Sequence, residues 1–221
     1  MLNLPTDTDK VLGLFAWGDT YNHQTEENLR AKGLPPYDPA APTIAEMTEA
    51  AIRVLDAKGT RFLLVVEEEG TDNFSNANNA SGTLEAMRRA DAMVGVTQKY
   101  IADHPATLVI IAADSNAGGL LHTHEGEDFK QPPEKLGPTE KNGSPVDGID
   151  GTGTAPFTAK PDKTGRVFKF SIVWATNSDG AGGILVRADG MNSEHVRGSF
   201  DNTDITRMIR LTLFGDGAYR D

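Results

Sequence analysis

Three short apolar segments that each run into a polar loop constrain the fold of this chain more than any other feature of its sequence. The segments are residues 62–66, 108–112 and 168–174. Each is too short for a typical buried helix, and branched and aromatic side chains dominate all three, which predicts strands buried on both faces. Ligands collect where the strands of open α/β sheets end, so the three loops are expected to meet at one edge of a sheet.

The loops after these segments carry carboxylates and small polar groups. In chain order they contain Glu67, Glu68, Glu69 and Asp72, then Asp114, Ser115 and Asn116, then Asn177, Ser178 and Asp179. Closely spaced carboxylates repel one another, so they are either solvated or neutralised by a cation. A solvated acidic loop is the alternative for any single run. The recurrence in three loops favours a shared cation site.

Amphipathic segments separate the apolar ones. A capping box at Thr43 and Glu46 opens a helix that Gly59 ends. An asparagine-rich loop over 70–80 precedes a second helix, capped by Ser81 and ended by His104, and residues 201–203 open a third. Further strands are predicted at 11–15 and 184–188. This order predicts an α/β fold with an open, mostly parallel doubly wound sheet flanked by helices.

Length and composition bound the classes of protein. With 221 residues the chain is predicted to form a single α/β domain over 1–221, with a long loop or insertion at 118–165. A net charge of −11 disfavours nucleic acid and anionic membranes as partners. No apolar run is long enough to span a bilayer, and residues 1–10 are too polar for a signal peptide. The absence of cysteine excludes disulfides and thiolate ligands.

Several segments together resemble the C-terminal half of the alkaline phosphatases. They are 67–82 with the helix after it, AADSNAGG at 112–119 and DNTDITRMIRLTLFG at 201–215. The VLGLF segment at 11–15 and the helix over 43–55 also resemble the middle of that family's chain. The resemblance covers nearly all of this sequence, yet it corresponds to a partial fold.

The resemblance implies a metal-dependent phosphomonoester hydrolase that uses a serine nucleophile, two zinc ions and a magnesium ion. By position, Glu67 matches the magnesium glutamate, and Asp72 and Asp114 match the two zinc aspartates. Asn76, Ser115 and Asp179 stand where the family has zinc histidines, which makes them further candidate ligands. No catalytic residue is identified, since the family's nucleophile belongs to its first half. A missing N-terminal half or companion chain is therefore expected.

Oxygen donors at the histidine positions change the expected metal. Zinc favours nitrogen and sulfur, whereas oxygen sites suit magnesium, with calcium or manganese as alternatives. The resemblance further implies a phosphomonoester substrate, a periplasmic or extracellular location and a possible homodimer. Two alternatives remain open. One is a non-catalytic module that binds a divalent cation or is a pseudo-phosphatase, and the other is a related hydrolase or mutase acting on a different ester.

Overall fold

The computed structural model describes residues 4–5, 7–124 and 134–218. The α-helices are α1 (Glu26–Lys32), α2 (Ile44–Asp56), α3 (Gly70–Asn76), α4 (Ala80–Asp103) and α5 (Thr203–Phe214). The strands are β1 (Leu108–Ile111), β2 (Leu121–His124), β3 (Val146–Gly148), β4 (Gly151–Thr152), β5 (Phe157–Thr158), β6 (Lys169–Val173) and β7 (Arg187–Gly190). Among the described helices, none is both long and apolar enough to cross a bilayer.

The helices predicted from amphipathic periodicity form close to their predicted bounds. The capping box of α2 is present, because Thr43 Oγ1 accepts the Glu46 N–H while the Glu46 carboxylate accepts the Thr43 N–H. Helix α4 ends at His104 as predicted, although Asn79 rather than Ser81 is its N-cap. Local capping chemistry therefore specifies these helices well.

Two helices occupy segments predicted to be irregular. The stretch from residue 18 to Pro42 is rich in proline, asparagine, glycine and charge, which predicts an irregular surface excursion, but helix α1 lies within it. Thr25 caps the start of α1, and Gly33 ends it with a left-handed backbone, φ 63°. Helix α3 replaces most of the loop predicted over 70–80. Its asparagines gave no helical periodicity, and the buried side chain of Phe74 supplies the packing that holds it.

The prediction of a mostly parallel sheet is wrong for the described strands, because every strand pair is antiparallel. The larger sheet has the order β2–β6–β3–β4, with β5 also pairing with β6, and β1 pairs with β7 alone. Val173 of β6 lies opposite Leu121 of β2 on one side and Val146 of β3 on the other. Strand β6, predicted at 168–174, is thus the centre of the larger sheet.

The parallel arrangement fails because its first strand does not form. Residues 61–68 have no strand assignment, and the side chains of Leu63 and Val65 are 56% and 82% exposed. The segment at 11–15 likewise forms no strand, and Leu12 is 85% exposed. An apolar run forms a strand only beside a hydrogen-bonding neighbour, which the described residues do not give to either segment. Strand β7 forms, shifted from the predicted 184–188.

The segment 118–165 contributes most of the sheet. Strands β2, β3 and β5 lie within it and pair directly with β6. Against this sheet packs an apolar cluster that contains Ala80 of α4, Phe157 and Trp174, the last of which is 1% exposed. A second cluster holds Phe74 of α3. The two clusters fix α3 and the start of α4 beside the ends of β1 and β6, where the polar loops lie.

Candidate metal centre

Helix α3 carries two of the predicted ligands, Asp72 and Asn76, and its buried side chain Phe74 anchors it to the core. The ring of Phe74 is fully buried and packs on Tyr37, with centroids 5.6 Å apart. Gly82 of α4 lies so close that a Cβ there would be 2.4 Å from the Phe74 ring, so α3 and α4 approach in a way that only glycine allows. The anchored helix holds Asp72 and Asn76 one turn apart.

Two loops, 114–119 after β1 and 175–180 after β6, are paired with each other beside α3. The backbone N–H of Asn116 donates to the carbonyl of Gly180 and that of Gly180 donates back, both at 3.2 Å. Gly118 has φ 68°, and a Cβ on it would lie 2.4 Å from the carbonyl oxygen of Ser75. Glycine at this position lets the first loop press against α3, which brings the side chains of both loops to the helix.

The side chain of Asn76 links these elements. Its Nδ2 donates to Asp72 Oδ1 at 3.0 Å and to Asp179 Oδ1 at 2.8 Å. Its Oδ1 accepts the backbone N–H of Gly118 at 3.0 Å. Ser115 Oγ donates to the other oxygen of Asp72, Oδ2, at 3.3 Å. Four of the six predicted site residues therefore meet in one hydrogen-bonded group, which we call the Asn76 network: Asp72, Asn76, Ser115 and Asp179.

Of the other two predicted ligands, Asp114 acts on this network through its charge, and Glu67 acts on the neighbouring Glu69. Burial and the charge of Asp179 raise the pKa of Asp72, and the charge of Asp114 adds to that effect. Burial likewise raises the pKa of Glu69, with further contributions from the charge of Glu67, a hydrogen bond to it, and the charges of Asp72 and Asp114. Carboxylates that raise one another's pKa in this way favour a proton or a cation nearby.

Glu69 is the residue that the sequence analysis left out of the candidate ligands. It lies at the N-cap position of α3, three residues before Asp72, and this helical spacing would have indicated it had α3 been predicted. Glu68 has a different role, since its Oε1 accepts the Tyr37 hydroxyl at 2.8 Å. The run of three glutamates thus divides into two site residues and one that ties the chain to Tyr37.

The donor set decides which metal the site fits. Within the described residues, no three Asp, Glu, His or Cys side chains are arranged to enclose a metal ion. Zinc prefers a closed set of nitrogen or sulfur ligands, and the Asn76 network contains neither imidazole nor thiolate, so zinc does not fit. Magnesium is commonly held by one or two carboxylates together with water and substrate phosphate. Glu67 and Asp114 are two carboxylates whose charges both act on Glu69, so oxygen donors of this kind are present beside the network.

Comparison with known proteins gives one family. The alkaline phosphatase family model matches residues 2–214. Alkaline phosphatase 4 of Bacillus subtilis (strain 168) is 24% identical, covering 90% of this chain and 47% of that protein. The alkaline phosphatase of Escherichia coli (strain K12) is 30% identical over 157 residues, 57% of this chain and 32% of that protein. The chain thus spans half or less of the length of these relatives.

Solved structures agree on the fold. The alkaline phosphatase of the Antarctic bacterium TAB5 matches with a TM-score of 0.55 and 21% identity, over 81% of this chain and 45% of that one. A mutant of that enzyme with magnesium bound matches with a TM-score of 0.56, over 88% and 51%. Because the family model covers nearly the whole sequence, this chain belongs to the alkaline phosphatase family.

Proposed function

We propose that this chain supplies the metal-holding part of a metal-dependent phosphomonoester hydrolase. The family gives the reaction class. The observation that supports the proposal is that the charges of Glu67 and Asp114 both raise the pKa of Glu69, while the Asn76 network holds the loop that carries Asp114 against α3. The chain spans half or less of the length of its curated relatives, so hydrolysis by the whole protein is likewise proposed.

Glu67 and Asp114 are the proposed direct ligands of a magnesium ion, and Glu69 adds charge beside them. When bound, such an ion would stabilise negative charge on the phosphoryl oxygens of the substrate. The Asn76 network holds α3 against the loops 114–119 and 175–180, so its part is to keep Asp114 in place. The net charge of −11 would repel a phosphate ester, and a cation at these carboxylates reverses that local field.

The serine nucleophile is proposed to come from a companion segment or chain. The exposed apolar residues of segments 11–17 and 61–68 support this. Four large apolar side chains in these segments are each more than four-fifths exposed: Leu12, Leu14, Trp17 and Val65. Exposed apolar surface of this kind is typical of a face that another segment or chain covers. A strand added beside 62–66 would give that segment the hydrogen-bonding neighbour it lacks. An exported location is part of the same proposal, on family grounds alone.

A second candidate function is a non-catalytic module, and the Asn76 network favours it. Both oxygens of Asp72 already accept hydrogen bonds from neutral side chains. A carboxylate satisfied in this way has less need of a metal.

A chromogenic phosphomonoester separates the two functions. We expect little turnover by this chain alone and magnesium-dependent hydrolysis once a serine-bearing segment is fused ahead of it. Asp114→Asn should lower that rate by about a hundredfold or more, since loss of a group that only supports a metal ligand already costs about 10- to 100-fold. Asp91→Asn, a charge-matched change on the exposed surface of α4, should leave the rate unchanged. A fused protein with no magnesium-dependent turnover would favour the non-catalytic module.

A further inference from the structure

The orientation of the Asn76 amide is fixed by its three partners. The Gly118 N–H donates to Oδ1, while Nδ2 carries two hydrogens and faces two carboxylate oxygens, one from Asp72 and one from Asp179. Rotating the amide by 180° would set N–H against N–H and oxygen against both carboxylates. The nitrogen therefore points between the two acids.

The two carboxylates at this point come from separate parts of the chain. Asp72 lies in α3 and Asp179 lies 107 residues later, in the loop after β6. Side chains of like charge held this close need a positive or hydrogen-donating group between them. The amide supplies two N–H groups, one to each acid, and uses its oxygen to bind the neighbouring loop.

A metal ion bound by both acids would require the amide nitrogen to leave. Metals bind the oxygen of an asparagine side chain, and here that oxygen faces Gly118. Turning the amide to offer oxygen would break the bonds to Asp72, Asp179 and Gly118 together. The metal would then be the partner of both carboxylates, but the Gly118 N–H and the amide N–H groups would lose their acceptors, and that cost opposes metal entry at this point.

We propose that the side-chain amide of Asn76 takes the place of a cation between Asp72 and Asp179, so that these two acids are joined without any metal. The amide is neutral, but it donates one hydrogen bond to each carboxylate and so occupies the oxygens that a metal would otherwise bind. Any metal bound by this chain then lies outside this pair. The inference concerns one position of the network and does not depend on whether the chain takes part in phosphoester hydrolysis.

One substitution should convert the position into a metal site. Asn76→His puts a ring nitrogen between two carboxylates, which is a ligand set that zinc accepts. In calorimetric titrations of the full chain, we expect this variant to bind one zinc ion more tightly than the original chain by about tenfold or more. Adding Asp179→Asn to it should abolish the gain, whereas adding Asp91→Asn should not.

Titrations of the original chain test the inference even if the Asn76→His variant does not fold. The number of zinc and magnesium ions that the original chain binds should be the same as in its Asp179→Asn and Asp72→Asn variants. Asn76→Asp adds a third carboxylate and removes the amide hydrogens, so millimolar magnesium should raise the melting temperature of that variant by more than it raises that of the Asp179→Asn variant. A metal site in the original chain that both Asp72→Asn and Asp179→Asn remove would overturn the inference. Failure of phosphomonoester hydrolysis alone would leave these titrations unchanged, so the two proposals fail separately.

Discussion

Among the described residues, the acidic side chains around Asp147 and those around Asp72 differ in what surrounds them. Asp147 of β3 is fully buried, and its carboxylate accepts hydrogen bonds from Trp174 Nε1 at 2.6 Å and Thr152 Oγ1 at 2.8 Å. Asp72 also accepts two hydrogen bonds from neutral side chains, but at a half-buried edge. Hydrogen bonds from neutral side chains therefore stabilise the core at Asp147, whereas at Asp72 similar bonds lie where solvent and ligands can reach.

Glu26 belongs with the buried group. Its side chain is 8% exposed, its Oε1 accepts the Ser81 N–H at 2.9 Å, and its Oε2 is buried without a hydrogen-bond partner among the described residues. Burial raises the pKa of Glu26 to about 7, and the charge of Asp147 adds to it. Ser81 lies in the first turn of α4, where the helix dipole favours the charged form and offsets part of the burial cost. Burial, and not the number of acids, therefore separates these structural carboxylates from those proposed to bind a ligand.

The largest expected effect is on the free energy of unfolding, which should fall much more when Asp147 is replaced than when Asp72 is. Asp147→Ala removes the acceptor of two side-chain donors, one of them the indole N–H of the almost fully buried Trp174. We expect it to lower the free energy of unfolding by about 4 kcal/mol, because buried donors without partners are costly. Asp72→Ala should cost about 1 kcal/mol, since water reaches its partners. Urea unfolding of both variants checks this, and equal losses would break the distinction.

A smaller effect appears in the pH dependence of stability. The folded pKa of Glu26, about 7, exceeds its ordinary value of 4.5, so the folded state binds the proton more tightly. The stability from this group is complete below pH 4.5 and is lost as the pH rises to about 7. Glu26 should thus lower the unfolding free energy by roughly 2 to 3 kcal/mol between pH 5 and 8.

Glu26→Gln tests that dependence directly, because glutamine fills the same space and does not titrate. Urea midpoints at pH 5 and pH 8 should differ less in the variant than in the original chain, and at pH 8 the variant should be the more stable protein. Glu49→Gln, on the exposed surface of α2, is the matched control and should keep the original slope. An unchanged slope in Glu26→Gln would place the titration elsewhere.

The smallest effect belongs to the Asn76 network. Asp179→Asn removes one of two like charges and keeps a polar side chain, so the unfolding free energy should change by less than about 0.5 kcal/mol. The pKa of Asp72 should fall toward its ordinary value, because the charge of Asp179 is one of the causes that raise it. Carboxyl chemical shifts followed through a pH titration measure the change. A fall in stability as large as that of Asp147→Ala would show that this network is structural too.

The sequence predicts the local elements of the fold and fails on their pairing. Helix α2 and strand β6 form as predicted, because capping and apolar runs are properties of the segment itself. The apolar run at 62–66 forms no strand, since a strand depends on a neighbour that local sequence does not specify. The same dependence made a parallel crossover between 62–66 and β1 look plausible, whereas β1 pairs antiparallel with β7.

At the candidate site too, the meeting of the loops was predictable from the sequence and the individual hydrogen bonds were not. Acid-bearing loops after apolar segments indicated that Asp72, Ser115 and Asp179 would meet, and they do. The donor role of Asn76 was not predictable, because it depends on contacts across 103 residues. The contact between Asp147 and Trp174 was missed for a similar reason, since nothing in the pattern around either residue marks a buried hydrogen bond.

A magnesium titration followed by amide chemical shifts tests the central claim most directly. We expect the shifts of residues 67–69 and 114–116 to change together on adding magnesium, with Asp114→Asn removing the change and Asp91→Asn preserving it. Zinc at equal concentration should have a weaker effect at these residues. Magnesium shifts spread evenly over the acidic surface, or a single zinc ion held tightly by the original chain, would contradict an oxygen-ligated site at Glu67 and Asp114.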